Sequence, residues 1–264
     1  MNQPTKQRYR VRFPASAAAN DLDQDKVVFH IIEKGGQKVQ IRFHDYDQIY
    51  LRPGLYEQLF YDRLKCTSPT KVGKLLKRAL ETVREPITAL RVLDLGAGNG
   101  MMGEVLKERH GVARLVGADI IPEARDAAFR DRPDVYDEYF VADFCDLQPE
   151  DRERLEEWDF DCLTSVAALG FGDIPPRAFF NALQFVKSGG WVAFNIKDTF
   201  LDQSDNSGFS RMIRELIFSK YMDLYHLERY RHRLSIEGNP LYYFVVAAKK
   251  NADVPVEWMD RYVD

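Results

Sequence analysis

Short apolar runs alternate with amphipathic stretches from about residue 90 onward. Five apolar runs predict buried strands, at 91–96, 114–119, 139–143, 160–169 and 191–196. The stretches between these runs begin near glycine or proline residues and predict helices. Strands that alternate with helices form mostly parallel sheets that are covered on both faces, so the core is expected to be layered in this way.

The last third of the chain departs from this alternation. A helix is predicted over about 208–222, and two strands at 228–236 and 241–250 are separated only by a Glu-Gly-Asn-Pro turn. Two strands joined by so short a turn must run antiparallel. The predicted fold class is therefore α/β, with a seven-stranded mostly parallel sheet, a C-terminal antiparallel hairpin, helices on both faces and an N-terminal appendage.

The region before the core carries its own pattern. Two short strands, at 27–32 and 38–43, flank a Gly35-Gly36 turn, and an aromatic-rich stretch follows them. Ser68 is predicted as the N-cap of the first core helix. We therefore expect four parts: a flexible N-terminus (1–25), a hairpin with an aromatic lid segment (26–67), the core (68–250) and a C-terminal tail (251–264).

Composition and charge narrow the classes of function. The chain has 264 residues, 45% of them hydrophobic, and its 37 basic and 41 acidic residues give a net charge of −4. This balance argues against nucleic acid and anionic membranes as partners. No apolar run approaches the roughly 18 residues of a membrane helix, and no apolar stretch marks a signal peptide after the basic start. Three cysteines without metal-type spacing fit a reducing cytoplasm.

The segment 94–100, Asp-Leu-Gly-Ala-Gly-Asn-Gly, joins the first core strand to a helix. Residues without side chains allow a ligand to approach the backbone closely, and the free amides of a helix start face that ligand. The spacing of Gly98, Gly100 and Gly103 also satisfies the dinucleotide fingerprint. Asp94 argues against NAD because a carboxylate near the loop would repel a pyrophosphate. The terminal hairpin also argues against NAD, because a dinucleotide fold would place its second half there.

The same segment resembles the first motif of the class I S-adenosylmethionine (SAM) dependent methyltransferases, as does the order of elements over about 68–250. The resemblance implies that the glycine loop contacts the methionine part of SAM. It also implies that Asp119 binds the ribose hydroxyls, that Asp143 contacts the adenine amine, and that the residues after them flank the purine. A carboxylate accepts hydrogen bonds from both hydroxyls of a diol, which agrees with the first role. The cofactor-binding residues expected on this basis are Asp94, Gly96, Ala97, Gly98, Gly100, Asp119, Ile120, Asp143, Phe144 and Val166.

Methyl transfer from a sulfonium places few demands on protein side chains, because the leaving group is already activated. The enzyme contributes mainly alignment, which can reach ~7–11 kcal/mol, and in some cases a general base worth roughly 10²–10⁴-fold. The catalytic residue is therefore left open, with His44 and His226 as candidates. No carboxylate cluster ends the fourth core strand, so no metal site is expected.

The surface for the methyl acceptor is predicted on the appendage, where aromatic residues surround Pro53-Gly54. Aromatic rings attract a sulfonium and offer an apolar wall to an acceptor. The alternative is that the rings only pack the appendage onto the sheet. The expected acceptor-binding residues are Tyr46, Tyr50, Tyr56, Tyr61 and, beyond the fourth core strand, Phe171.

The favoured function is a cytoplasmic SAM-dependent methyltransferase that acts on a small-molecule acceptor, with neither a membrane nor nucleic acid as partner. One alternative is a methyltransferase that acts on RNA or protein. Two further alternatives are a NAD-dependent reductase and a SAM-binding subunit without catalysis. The acceptor, the atom methylated and the oligomeric state stay open at this point.

Overall fold

The computed structural model describes residues 7–14, 27–33, 35–169, 173–201 and 208–261. Within these ranges the strands form two sheets, one of three strands and one of seven. The small sheet is antiparallel and has the order β1-β2-β3. Its strands are β1 (Arg10–Arg12), β2 (Val28–Ile32) and β3 (Lys38–Arg42).

The large sheet has the order β6-β5-β4-β7-β8-β10-β9. The strands from β4 to β8 pair in parallel, whereas β10 runs antiparallel to both β8 and β9. The predicted fold class is thus confirmed. The strands are β4 (Arg91–Leu95), β5 (Arg114–Asp119), β6 (Glu138–Val141), β7 (Phe160–Ser165), β8 (Val186–Lys197), β9 (Met222–Leu234) and β10 (Pro240–Lys250).

Helices cover both faces of the large sheet, and the sheet separates two hydrophobic cores. Val92 points into the core under α2, α3 and α4, and its neighbour Leu93 points into the core under α5, α6 and α7, as alternation along a strand requires. The short α3 continues as a π-helical segment, Val105–Arg109. The helices are α1 (Tyr46–Tyr50), α2 (Ser68–Thr82), α3 (Met101–Glu104), α4 (Pro122–Asp131), α5 (Pro149–Glu157), α6 (Pro176–Gln184) and α7 (Phe209–Phe218).

Two predicted boundaries differ from the structure, and left-handed residues explain both. The helix predicted to reach about 222 ends at Phe218, and β9 begins soon after, because Lys220 adopts a φ of 61°. The strand predicted to reach 169 ends at Ser165, because Ala167 adopts a φ of 59°. A non-glycine residue in this conformation interrupts a helix or a strand.

The appendage has a small hydrophobic core of its own and contacts the large sheet at its carboxyl edge. Its three strands, α1 and a π-helical segment (Glu57–Arg63) bury a cluster of apolar side chains. One of these strands, β1, lies within the stretch predicted as a flexible N-terminus (1–25). Two backbone bonds attach the appendage to β9, from Leu234 N to Leu64 O at 2.7 Å and from Thr67 N to His232 O at 3.0 Å.

Candidate functional site

A cavity of about 420 Å³ lies at the carboxyl ends of the parallel strands, and the appendage forms its roof. This is where ligands bind in sheets of this kind. Most of the residues predicted from the sequence meet in its wall. The predicted residues that line it are Gly96, Ala97, Gly98, Asp119, Ile120, Asp143, Phe144, Val166, Tyr46, Tyr50, Tyr56, Tyr61 and His44.

Three predicted residues do not line this cavity. Asp94 lies in β4 beneath the loop and is only 1% exposed, and Gly100 is the N-cap residue of α3. His226 lies in β9, the strand at one end of the large sheet, opposite Ala247 of β10, and does not line the cavity. Phe171 lies outside the described residues.

Asp94 holds the glycine loop from below. Its two carboxylate oxygens accept hydrogen bonds from Tyr136 Oη and Thr164 Oγ1, both at 2.7 Å. Burial raises the pKa of Asp94 to about 6, although both hydrogen bonds favour the ionised form. The adjacent Tyr139 donates its hydroxyl to Gly98 O at 2.8 Å, so two tyrosines and one carboxylate fix the position of the loop.

The backbone of the glycine loop requires residues without a Cβ. Gly96 and Gly98 have φ values of 70° and 54°, in the left-handed region. A Cβ at Gly98 would lie 2.4 Å from Tyr50 Oη, and one at Gly96 would lie 2.7 Å from atoms of Ala168 and Ile174. The loop is therefore a cradle that admits neighbouring groups to its backbone, which is the feature expected where the methionine part of SAM lies close.

Two carboxylates end neighbouring strands at the cavity. Asp119 is the last residue of β5, and its oxygens accept hydrogen bonds from Gly98 N at 3.0 Å and Ile121 N at 3.1 Å. Burial raises its pKa. Asp143 lies beyond β6 and accepts from Cys145 N at 2.8 Å. Each carboxylate oxygen has a second lone pair, so both groups retain capacity for the donors of a ribose diol and an adenine amine. The hydrogen-bond acceptors of the cavity thus fit the donors of SAM.

The appendage closes the cavity with aromatic rings. The rings of Tyr46 and Tyr50 stack with centroids 6.0 Å apart, and those of Tyr50 and Tyr56 are 5.3 Å apart. Burial raises the pKa of all three hydroxyls, so the tyrosines are neutral. They present rings and hydroxyl donors to the cavity. The same side chains therefore line the cavity and pack against one another.

One pair of polar residues at the cavity was not found by sequence reasoning. His44 Nδ1 lies 3.3 and 3.2 Å from the two carboxylate oxygens of Asp173. Both residues line the cavity and a side chamber of about 40 Å³ that extends toward His232 and Arg233. Asp173 lies in the predicted segment after the fourth core strand, but 129 positions separate it from His44. No spacing rule links residues so far apart.

A buried hydrogen-bond network supports the turn after β7. Asn195 Oδ1 accepts from Ala167 N at 2.7 Å, and its amide donates to Tyr230 Oη at 2.9 Å. Ser68 Oγ lies 2.6 Å from that hydroxyl and 2.5 Å from His232 Nδ1. The prediction that Ser68 caps α2 is wrong, because Thr67 occupies the N-cap position and Ser68 is already helical. The network holds the left-handed Ala167 in the cavity wall.

The glycine cradle, the acidic residues that end the next two strands and the antiparallel terminal hairpin define a class I SAM-dependent methyltransferase. The chain belongs to the family described as "Methyltransferase domain", whose model matches residues 64–235. SAM is accordingly its cofactor. No curated protein matches the chain.

Solved structures share the fold at low sequence identity. The protein PH1948 from Pyrococcus horikoshii, proposed to be an RNA methyltransferase, is 13% identical over 71% of this chain and 83% of its own, with a TM-score of 0.51. Protein 1320 from Thermoplasma acidophilum is 15% identical over 78% and 98%, with a TM-score of 0.50. The magnesium protoporphyrin IX methyltransferase of Synechocystis PCC 6803, solved with SAM, is 12% identical over 69% and 79%, with a TM-score of 0.48. Identities this low show the fold alone.

The described ranges contain no group of three or more His, Cys, Asp or Glu side chains arranged to hold a metal ion. None of the helices in those ranges combines the length and the apolar composition needed to cross a lipid bilayer.

Proposed function

We propose that this methyltransferase acts on a small-molecule acceptor that binds beneath the appendage. The observation that carries the proposal is the roof over the cavity: Tyr46, Tyr50, Tyr56 and Tyr61 all line it from the appendage side. An acceptor must enter this enclosed space to reach the glycine loop, whereas a folded protein or an RNA helix needs an open face. The net charge of −4 also weighs against RNA. The free thiols at Cys66, Cys145 and Cys162 support a cytoplasmic location.

Different residues of the cavity would bind different parts of SAM. SAM supplies a methyl group that is activated by its attachment to a sulfonium sulfur. Asp119 would hold the ribose hydroxyls, Asp143 the adenine amine, and the loop from Gly96 to Gly98 the methionine part. The rings of the appendage would exclude water and align the acceptor, which is the main contribution such an enzyme makes.

We assign the role of general base to His44. With its Nδ1–H donated to Asp173, the ring is held in one orientation and Nε2 is the atom that accepts a proton. Asp173 would then be a positioning residue that also stabilises the imidazolium. A base in this position favours an acceptor whose hydroxyl or amine loses a proton during methyl transfer.

The class of acceptor is tested by incubating the enzyme with radiolabelled SAM and three cell fractions: small metabolites, RNA and protein. The proposal predicts label in the small-metabolite fraction. Label confined to RNA or protein would contradict it. Calorimetric titration with S-adenosylhomocysteine (SAH) and with NADH distinguishes a methyltransferase from a reductase. A protein that binds SAH and labels none of the three fractions would be a binding subunit.

The role of His44 is tested with the variants His44→Gln and His226→Gln. Both remove one imidazole, but only His44 lines the cavity. We expect His44→Gln to lower kcat by roughly 10²–10⁴-fold with little change in SAH affinity. His226→Gln should behave as the wild type. Equal activity of the two variants would remove His44 from the mechanism.

A further inference from the structure

Two buried acceptor atoms lack a donor at the junction between the appendage and the glycine loop. Glu57, in the π-helical segment of the appendage, is 8% exposed, and Asn99, in the loop, is 2% exposed. Asn99 Nδ2 donates to Glu57 Oε1 at 3.1 Å. Neither Glu57 Oε2 nor Asn99 Oδ1 has a hydrogen-bond partner within the described part of the chain. Since an unsatisfied buried acceptor is costly, a donor is expected to bind there.

The charges around this junction indicate that the missing donor is a cation. Arg132 bridges two carboxylates: its Nη1 donates to Glu57 Oε1 at 3.0 Å, and its Nε donates to Glu104. One guanidinium and two carboxylates leave a net charge of −1. The nearby Arg130 does not cancel it, because it is paired with Asp131 at 2.8 Å and donates to Tyr50 O. The Glu104 side chain is 36% exposed and is partly solvated, whereas that of Glu57 is 11% exposed and shares its only guanidinium with Glu104. A buried carboxylate that shares its counter-ion favours a second positive group.

The cofactor carries a group of this kind. The amino-acid part of SAM ends in an α-ammonium with three N–H donors, enough to satisfy both orphan acceptors and to neutralise the charge. Asn99 lines the cavity at the glycine loop, where this part of SAM is expected. We infer that Glu57 and Asn99 bind the α-ammonium group of SAM, so that the appendage completes the cofactor site as well as the acceptor site. The inference depends on SAM being the cofactor and not on the identity of the acceptor.

The experiment compares two ligands by calorimetry on the full chain. SAH carries the amino-acid part, and 5′-methylthioadenosine keeps the thioadenosine part but lacks the ammonium and the carboxylate. Glu57→Gln preserves the shape of the side chain and removes its charge. We expect it to weaken SAH binding by about 10- to 100-fold and to change the Kd of 5′-methylthioadenosine less than about twofold.

Glu104→Gln is the matched control, because it removes the other carboxylate on Arg132 but does not contact Asn99. It should weaken SAH binding far less than Glu57→Gln does, because the Glu104 side chain is 36% exposed and water screens its charge, and it should leave the affinity for 5′-methylthioadenosine unchanged. If Glu57→Gln weakened both ligands equally, Glu57 would only support the loop. If Glu104→Gln weakened SAH binding as strongly as Glu57→Gln does, the loss of affinity would result from a displaced Arg132 and not from a lost contact with the ammonium. Either result would overturn the inference.

A second measurement needs no variant and therefore does not depend on how Glu57→Gln folds. The deaminated analogue of SAH keeps the carboxylate and lacks only the ammonium. We expect the wild-type chain to bind it at least tenfold more weakly than SAH. Equal affinity of the wild type for the two ligands would refute the inference directly.

Discussion

Replacement of Gly98 by alanine tests the claim that the glycine loop depends on the absence of side chains. Two separate penalties are expected. Alanine at the observed φ of 54° is strained by about 1–2 kcal/mol. Its Cβ would also lie 2.4 Å from Tyr50 Oη, and such overpacking costs about 1–3 kcal/mol.

The second penalty is expected in full because Tyr50 has little room to move. The residue is 6% exposed, and its ring lies between those of Tyr46 and Tyr56. Together the penalties reduce the free energy of unfolding by about 2–5 kcal/mol, a large share of the ~5–15 kcal/mol typical of a domain. A loop displaced by this contact should also bind SAH at least tenfold more weakly, because its backbone no longer reaches the cofactor.

Urea unfolding followed by tryptophan fluorescence measures the first effect, and calorimetry with SAH measures the second. Gly189→Ala is the matched control: its φ is 84°, but no atom lies within 4 Å of the added Cβ. It should show the backbone penalty alone, with normal SAH binding. The double variant Gly98→Ala/Tyr50→Phe removes the clashing oxygen and leaves a ring carbon at 3.3 Å, so part of the lost stability should return.

Two results would refute this reasoning. If Gly98→Ala were no less stable than Gly189→Ala, the contact with Tyr50 would be absent in solution. If the double variant recovered nothing, the penalty would come from the backbone alone.

Three further predictions concern single residues. Asp119→Ala should weaken SAH binding by about 1.5–3 kcal/mol in a calorimetric titration, because hydrogen bonds to a charged acceptor are lost. Because burial raises the pKa of Asp94 from 3.8 to about 6, its stabilising contribution is full below pH 4 and is lost as the pH rises through 6. The unfolding free energy of the wild type minus that of Asp94→Asn, from urea titrations, should therefore fall by roughly 3 kcal/mol between about pH 3 and about pH 7, and a constant difference would contradict the raised pKa. Ala167→Gly should raise the free energy of unfolding by about 0.5–1 kcal/mol, since glycine adopts the observed φ of 59° without strain; a loss of stability in urea would exclude strain at this position.

The sequence by itself determined the elements and the contiguous part of the site. Alternation and amphipathic stripes reflect which side chains each element buries, so the strands and helices of the core were readable from local pattern. The glycine loop was readable for a similar reason, because Gly96, Gly98 and the helix start follow one another in the chain. Asp119 and Asp143 followed from their places at the ends of predicted strands, since parallel strands bring their carboxyl ends to one edge.

Only the tertiary structure decided which distant residues meet. The pair of His44 and Asp173, and the group of Glu57, Asn99 and Arg132, each join the appendage to the core across many positions of the chain. Such contacts depend on how the appendage docks onto the sheet. Docking is set by the summed packing of whole surfaces, which no local period encodes. Asp94 borders the glycine loop in sequence but lies beneath it and out of the cavity. Its contacts with Tyr136 and Thr164, 42 and 70 positions away, likewise follow only from the tertiary structure.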